Sequence, residues 1–414
     1  MDSLLMAINS CKTGSTPGPD YIPNVFLKNL PITAKLLLLE IINQSWTEGR
    51  LPQEWKVSHI IPILKPKNNK EDLNSYRPIS LLNTISKLME RMVTNRLLNY
   101  LEINNLFNAF QCGFRKGHCT TDHIVRLKTE AEFAIKSGNI TVAIFIDFTK
   151  AFDLLWRDGL VLKLMKLNIK GLCLKWIKNF LENRSSHVVI DSFLSDSFDF
   201  DNGTPQGSVI SPILFLIMIN DFPILSDFTR SALFADDSSI WRSETNLHQI
   251  LHHLQEDLNK IELWCKDWGF TINTVKTIGI VFSNKRTLHQ PVLTINNSKI
   301  NFQSTCVFLG VTFDTHLTWS AHIANLCNRA SSVLNILRSI CGQKCGVNKK
   351  TILAVYRALI RSVFDYACIA YDSASKSQLK LLDAVQYKAL LLVTGAQLPP
   401  RHLVIAHSTE NTIS

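Results

Sequence analysis

Two apolar runs in this chain end on acid. "NITVAIFIDF", residues 139–148, is β-branched and aromatic until Asp147, and "SALFADDSSIW", residues 231–241, sets Asp236 beside Asp237 between apolar stretches. The first reads as a buried strand with a carboxylate at its end, the second as strand, tight turn, strand with both aspartates at the turn. Neighbouring carboxylates repel, and an apolar setting makes this worse. The pattern therefore leaves two solutions. Either the turn is solvated and Asp147 caps a helix, or the strands neighbour each other and three carboxylates converge at one sheet edge. The second needs hard divalent cations with oxygen ligands, Mg²⁺ above all. Two such ions ~4 Å apart can stabilise the entering and leaving oxygens of an in-line phosphoryl displacement.

The rest of the chain is compatible with such a site. Its 414 residues fit two or three domains, and 46% apolar against 19% charged residues supplies a full core and argues against disorder. A formal net charge of +10 points to a polyanionic partner. The ten cysteines follow no regular framework and read as reduced thiols. The N-terminus "MDSLLMAINS" lacks the basic start of a signal peptide, and the longest apolar run, Val209–Ile219, is short of the ~18 residues a membrane span needs. The expectation is a soluble intracellular protein.

Periodicity predicts a helix in "ITAKLLLLEIINQSW", a strand at 57–64, an amphipathic helix over 86–102 and a hairpin in "SHVVIDSFLSDSFDFDNG". An apolar helix opens at Ser211-Pro212, where proline is tolerated. A helical stripe runs from Thr245 to Trp268, and strands return at "TIGIVFS" and "VFLGVTF". Three helical patterns close the chain, giving a mixed α/β body with a helical tail. "TGSTPG" lacks the Gly-Lys-Ser/Thr of a Walker phosphate loop.

Eight blocks in one order carry a resemblance: "IPILKPK", "SYRPISLLNTISKLMERMVTNRL", "QCGFRKGHCTTDHIVRL", "AIFIDFTKAFD", "GTPQGSVISPILF", "FADDSSIW", "WGFTINTVKT" and "VFLGVTFDTHLTW". The series resembles the reverse transcriptase of non-LTR retrotransposons, most like the jockey group, from about Gly18 to Gly395. The resemblance implies an α+β right-hand polymerase fold: an N-terminal extension over 1–45, fingers and palm with an antiparallel sheet over 46–316, and a helical thumb over 317–414. It implies that Asp147, Asp236 and Asp237 are the catalytic, metal-binding triad, with the backbone carbonyl of Phe148 as a further ligand to two Mg²⁺ (Mn²⁺ as the alternative). Lys65 and Arg77 match the finger residues that grip the nucleotide triphosphate, as a point charge and a planar fork suit phosphate. Phe152 matches the aromatic under the sugar that leaves no room for a 2′-hydroxyl, and Asp153 reads as a structural salt-bridge partner. In "GTPQGS", Gly203, Pro205 and Gly207 shape a close-approach turn, and Gln206 with Gly207 would meet the nucleotide. Lys276 matches a palm lysine, a candidate proton donor to pyrophosphate.

The segment 321–414 holds 11 Lys and Arg against 4 Asp and Glu. Lys350, Arg357 and Arg361, spaced i, i+7, i+11, would share one helix face and track phosphates, with Ile352, Val355, Tyr356, Leu359 and Val363 packing opposite. A solvated charged face is the plain alternative. Cys112, His118, Cys119 and His123 form C-x₅-H-C-x₃-H, which looks metal-like but lacks the C-x₂-C of structural zinc sites. His248 and His252 lack the glutamate of H-E-x-x-H, and Cys341 and Cys345 read as incidental.

The expected activity is thus RNA-directed DNA polymerisation with an RNA template, a DNA primer or target and dNTPs as partners, no membrane, and a nuclear or cytoplasmic location. A silent nucleic-acid-binding relic and a metal-dependent nuclease are the alternatives. The missing N-terminal endonuclease of family members, and Leu391 where arginine is common, suggest a fragment or truncated copy.

Overall fold

The computed structural model describes residues 1–395 except 67, 192, 286–289 and 341–346. Cys341, Cys345 and the sequence beyond Gly395 lie outside the described residues.

Helices α1 (Asp2–Asn9), α2 (Asn24–Asn29) and α3 (Ile32–Glu48) lead into an antiparallel hairpin of β1 (Val57–Leu64) and β2 (Tyr76–Leu82). Helices α4 (Thr84–Ile103) and α5 (Thr120–Lys136) precede β3 (Ile140–Ile146). After α6 (Arg157–Lys166) and α7 (Gly171–Leu181), β4 (Ser185–Ile190) returns to lie parallel to β1, and the short β5 (Phe193–Leu194) and β6 (Phe198–Asp199) fold back on it. Helix α8 (Ser211–Ile219), the hairpin β7 (Arg230–Phe234) and β8 (Asp237–Glu244), helix α9 (Leu247–Trp268) and β9 (Ile278–Phe282) complete the central part. The short β10 (Thr294–Ile295), β11 (Ser298–Lys299), β12 (Asn301–Phe302), β13 (Thr305–Phe308) and β14 (Val311–Asp314) follow. Helices α10 (Ser320–Ile340), α11 (Lys349–Tyr356), α12 (Ser362–Asp365) and α13 (Lys376–Thr394) close the described chain.

The expected α+β architecture is present. Its centre is a sheet of order β12-β9-β3-β8-β7, with β8 and β9 both antiparallel to β3. Every residue of β3 is buried, because the sheet is covered on both faces. Val142, Ile144 and Ile146 point into one core with the apolar helix α8 and the inner stripe of α9. Ala143 and Phe145 point into a second core with α5 and the C-terminal helices. That explains a continuous apolar run in place of alternation. The first 45 residues are no loose appendage: Leu4, Ile8, Leu27, Leu38 and Ile42 are buried in the first core.

The C-terminal helices corrected one expectation. Between α11 and α12 the backbone makes a π turn, Arg357–Arg361. Its wider spacing replaces the 3.6-residue period on which the sequence reading relied. The buried side chains become Ile352, Tyr356, Ile360 and Phe364, four residues apart, while Leu359 is left 47% exposed. Lys350, Arg357 and Arg361 are all exposed, as expected. Arg361 nevertheless has an acidic partner, with its Nε donating to Asp365 at 2.7 Å, so the stripe is not free of counter-charge. These helices are fastened to α5, where the Lys128 ammonium pairs with Asp372 and donates to the carbonyl of Ile369.

At their base, His322 is 2% exposed beside the ring of Tyr371, and its Nδ1 accepts from the Thr312 N–H at 3.3 Å, which requires the neutral imidazole. Burial, aided by Arg329, pushes its pKa from 6.5 down to about 4. The unfolded chain takes up this proton near 6.5 and the folded chain only near 4, so the unfolded state binds more protons in between. Stability should therefore fall as pH drops through that window, by about 3 kcal/mol. His322→Gln should flatten this slope in urea unfolding measured from pH 7 to 4. An unchanged slope would remove His322 from the account.

Among the described residues, no helix is long and apolar enough to cross a membrane.

Candidate active site

Strand pairing brings the acids together. In the β3–β8 register Ile146 faces Ser238, so Asp147, one residue beyond β3, arrives next to Asp237, which opens β8. Asp236 sits in the β7–β8 turn, closed by the Phe234–Asp237 pair. The neighbour alternative is thus the one realised. The carboxylates stand apart, as like charges do: among the described residues they form no group whose oxygens all lie within 4.8 Å. They still feel one another. Poor hydration pushes Asp237 up to about 6, with Asp236 and then Asp147 adding to the shift, although its side chain reaches solvent. Asp147 is raised too, first by burial and then by Asp236, against the pull of Lys276 and Lys65. Lys276 Nζ lies 3.9 Å from Asp147 Oδ2.

The backbone around Asp147 is pinned from the far side. Asn273 N–H donates to the Asp147 carbonyl and Thr149 N–H to that of Thr271, both at 2.8 Å. These bonds flank a bridge between Phe148 and Ile272 and do not use the Phe148 carbonyl.

Residues of β1 and β2 share with Asp147 and Asp236 the lining of a cleft of about 1320 Å³. Lys65, Arg77, Asp147, Phe148, Phe152, Gln206, Gly207, Asp236 and Lys276 all line it. Asp237, at the start of β8, does not. Lys65 is placed by its Nζ donating to the Asn74 carbonyl at 2.8 Å, while Arg77 is exposed in the cleft. Phe152 stacks on Phe215, ring centroids 4.6 Å apart, and so serves the core and the cleft at once. Asp153 makes no ion pair among the described residues; its Oδ1 accepts from Gln206 Nε2 at 2.8 Å. The salt-bridge reading is corrected: in this half-buried position a neutral amide reaches the carboxylate and cations do not. Gly207 has φ +137°, and a Cβ there would lie 2.3 Å from the Ser80 carbonyl oxygen, so the loop needs glycine where it meets β2.

Two buried polar residues that hold this geometry were not singled out in the sequence. Gln111 is 1% exposed, and its Oε1 accepts from Gly113 N–H at 2.8 Å and from Ala235 N–H at 3.1 Å. Ala235 carries φ +55°, a left-handed conformation costly for alanine, immediately before Asp236. Glu90, fully buried on α4, accepts from Ser208 Oγ at 2.6 Å and Val209 N–H at 2.8 Å and so anchors the loop after Gln206. Its signal was an acid inside an apolar helix stripe.

The family model described as "Reverse transcriptase (RNA-dependent DNA polymerase)" matches residues 65–313. The chain belongs to this family. It is 31% identical over 387 residues to the RNA-directed DNA polymerase from mobile element jockey of Drosophila melanogaster, covering 92% of this chain and 42% of that protein. It is also 31% identical over 404 residues to the probable RNA-directed DNA polymerase from transposon BS of the same species, covering 95% and 44%. The reverse transcriptase resemblance of the jockey type therefore stands, and the chain spans less than half the length of these relatives. Among solved structures, apo telomerase from Candida tropicalis superposes with a TM-score of 0.44 at 12% identity, over 88% of this chain and 67% of that one.

The family uses divalent metal ions, and the donor set fits them. Asp147, Asp236 and Asp237 offer oxygen ligands, and the poor hydration that raises Asp237 to about 6, with Asp236 and Asp147 adding to it, is relieved by positive charge.

Proposed function

We propose that this chain is the polymerase part of a non-LTR retrotransposon protein, adding dNTPs to a primer 3′-hydroxyl on an RNA template. The observation that carries the reading is one cleft lined both by Asp147 and Asp236 and by the cations Lys65 and Arg77. Fingers and palm would span 46–316, the thumb 317–414, and residues 1–45 would lead into the fingers.

Asp147 and Asp236 would hold two Mg²⁺, with the Phe148 carbonyl completing the set and Asp237 supporting the site. Bound there, the ions would activate the primer hydroxyl and stabilise charge on the transferring and leaving phosphates. Lys65 and Arg77 bind and orient the triphosphate, which removes much of the entropic barrier to in-line attack. Phe152, held by its stack on Phe215, closes the floor beneath the sugar and excludes a 2′-hydroxyl. Gln206, held by Asp153, would contact the incoming nucleotide. Lys276, 3.9 Å from Asp147, would give a proton to pyrophosphate. Lys350, Arg357 and Arg361 would contact phosphates of the duplex independently of sequence.

The test is dNTP incorporation on an RNA template with an annealed DNA primer, in Mg²⁺ and in EDTA. Metal-dependent extension is expected. Template binding without extension would leave the silent relic, and cleavage without need for dNTPs the nuclease.

A further inference from the structure

The fold gathers Cys112 from the loop before α5, His118 from the turn that follows and Asp122 from the first turn of α5 itself. One ligand atom from each lies within 4.8 Å of the other two. Cys112 Sγ is 3.7 Å from His118 Nδ1, and His118 Nδ1 is 3.6 Å from Asp122 Oδ2. In tetrahedral zinc, with sulfur at about 2.3 Å and nitrogen and oxygen at about 2.0–2.1 Å, those edges measure about 3.5 and 3.4 Å. Both edges at His118 thus stand almost at ligand spacing before any ion is added, and the third lies within 4.8 Å.

We propose that Cys112, His118 and Asp122 form a zinc site, separate from the catalytic aspartates. Sulfur and imidazole select zinc over the Mg²⁺ that oxygen-only sites take. The sequence pattern pointed to His123 as a fourth member, but that ring is fully buried with its Nε2 on the Leu233 carbonyl at 3.0 Å, and the carboxylate of Asp122 takes its place. Outer contacts already orient two of the three ligands, Asp122 and Cys112. The Cys119 N–H donates to Asp122 Oδ2 at 3.0 Å and its thiol to Oδ1 at 3.4 Å. The Cys112 N–H donates to the Leu233 carbonyl at 2.9 Å. The fourth position is left to water.

Location gives the site its consequence. Cys112 lies between Gln111, which holds Ala235, and Gly113, where a Cβ would come within 2.5 Å of the Ala235 nitrogen. An ion joining Cys112 to the start of α5 would fix the loop on which the Asp236 turn rests. The site binds a metal whether or not the chain polymerises.

The test is metal content of the full chain after incubation with zinc in excess Mg²⁺ and desalting, together with the spectrum after cobalt substitution. One zinc per chain and a sulfur-to-cobalt charge-transfer band are expected. Affinity should fall at least about tenfold in His118→Ala and in Cys112→Ser, and should persist in Asp236→Ala and Cys173→Ser. His118 is 37% exposed at its side chain, so its replacement leaves the core intact. No retained zinc, a cobalt spectrum without the sulfur band, or affinity unchanged in both ligand variants would overturn the proposal.

Discussion

Asp236→Ala is expected to lower dNTP incorporation at least about a thousandfold, some 4 kcal/mol of transition-state stabilisation, while template affinity stays within about threefold. The separation follows from where the charges lie. Asp236 lines the cleft at the end of β7, whereas the exposed cations assigned to template contact are on α11 and the π turn beyond it. Loss of fold would give the same loss of activity, so stability must be read alongside. Asp236 is exposed, and its charge is one of the causes that raise both Asp147 and Asp237. Its removal relieves repulsion, and the variant should melt no lower than wild type in EDTA. Mg²⁺ should raise the melting temperature of wild type and do so much less in Asp236→Ala, because a ligand stabilises only the state that binds it. Extension by the variant at the wild-type rate would show that these acids are not the reaction centre.

That prediction could be framed from sequence because both acidic segments read as strand ends, and the resemblance implied that these strands, about a hundred residues apart, meet. A run apolar at every position demands burial on both faces, so β3 had to be central, and its terminal Asp147 had to emerge at a sheet edge. The β7–β8 hairpin then had only to dock beside it. Helical periodicity was as readable for α4 and α9, where the backbone keeps its 3.6-residue period. It failed at Arg357–Arg361, because a π turn has no clear mark in residue types and changes which side chains point inward. Asp153 illustrates a second limit. Its partner Gln206 is 53 residues away, and sequence cannot say whether a carboxylate will meet an amide or a cation across such a distance. The Cys112–His118–Asp122 cluster is a third, since spacing rules describe ligands on regular turns while these are gathered by a loop folding against the sheet.

Glu90→Ala should destabilise the chain by about 3–5 kcal/mol and, where it folds, raise the KM for dNTP more than it lowers kcat. The carboxylate accepts from Ser86 Oγ at 3.2 Å as well as from Ser208 and Val209, so its loss strands buried donors with nothing to replace water. It also removes the favourable charge near Arg184, which is 2% exposed and which burial has already pushed down to about 10 despite Glu90. Ser208 and Val209 follow directly on Gln206 and Gly207. Gln206 and Gly207 are held at β2, where Ser80 N–H donates to the Gln206 carbonyl at 2.7 Å. With the Glu90 anchor gone, the loop keeps its bonds to Ser80 and Asp153 but is freed beyond Gly207, which can happen without moving Asp147 or Asp236, so nucleotide affinity should suffer before the chemical step. Glu90→Gln keeps one acceptor oxygen and the shape while dropping the charge, so it should recover most of the KM but less of the stability. Urea unfolding and steady-state incorporation at varied dNTP would separate the two effects. Equal KM values in wild type and Glu90→Ala would mean that β2 and Asp153 hold the loop without Glu90.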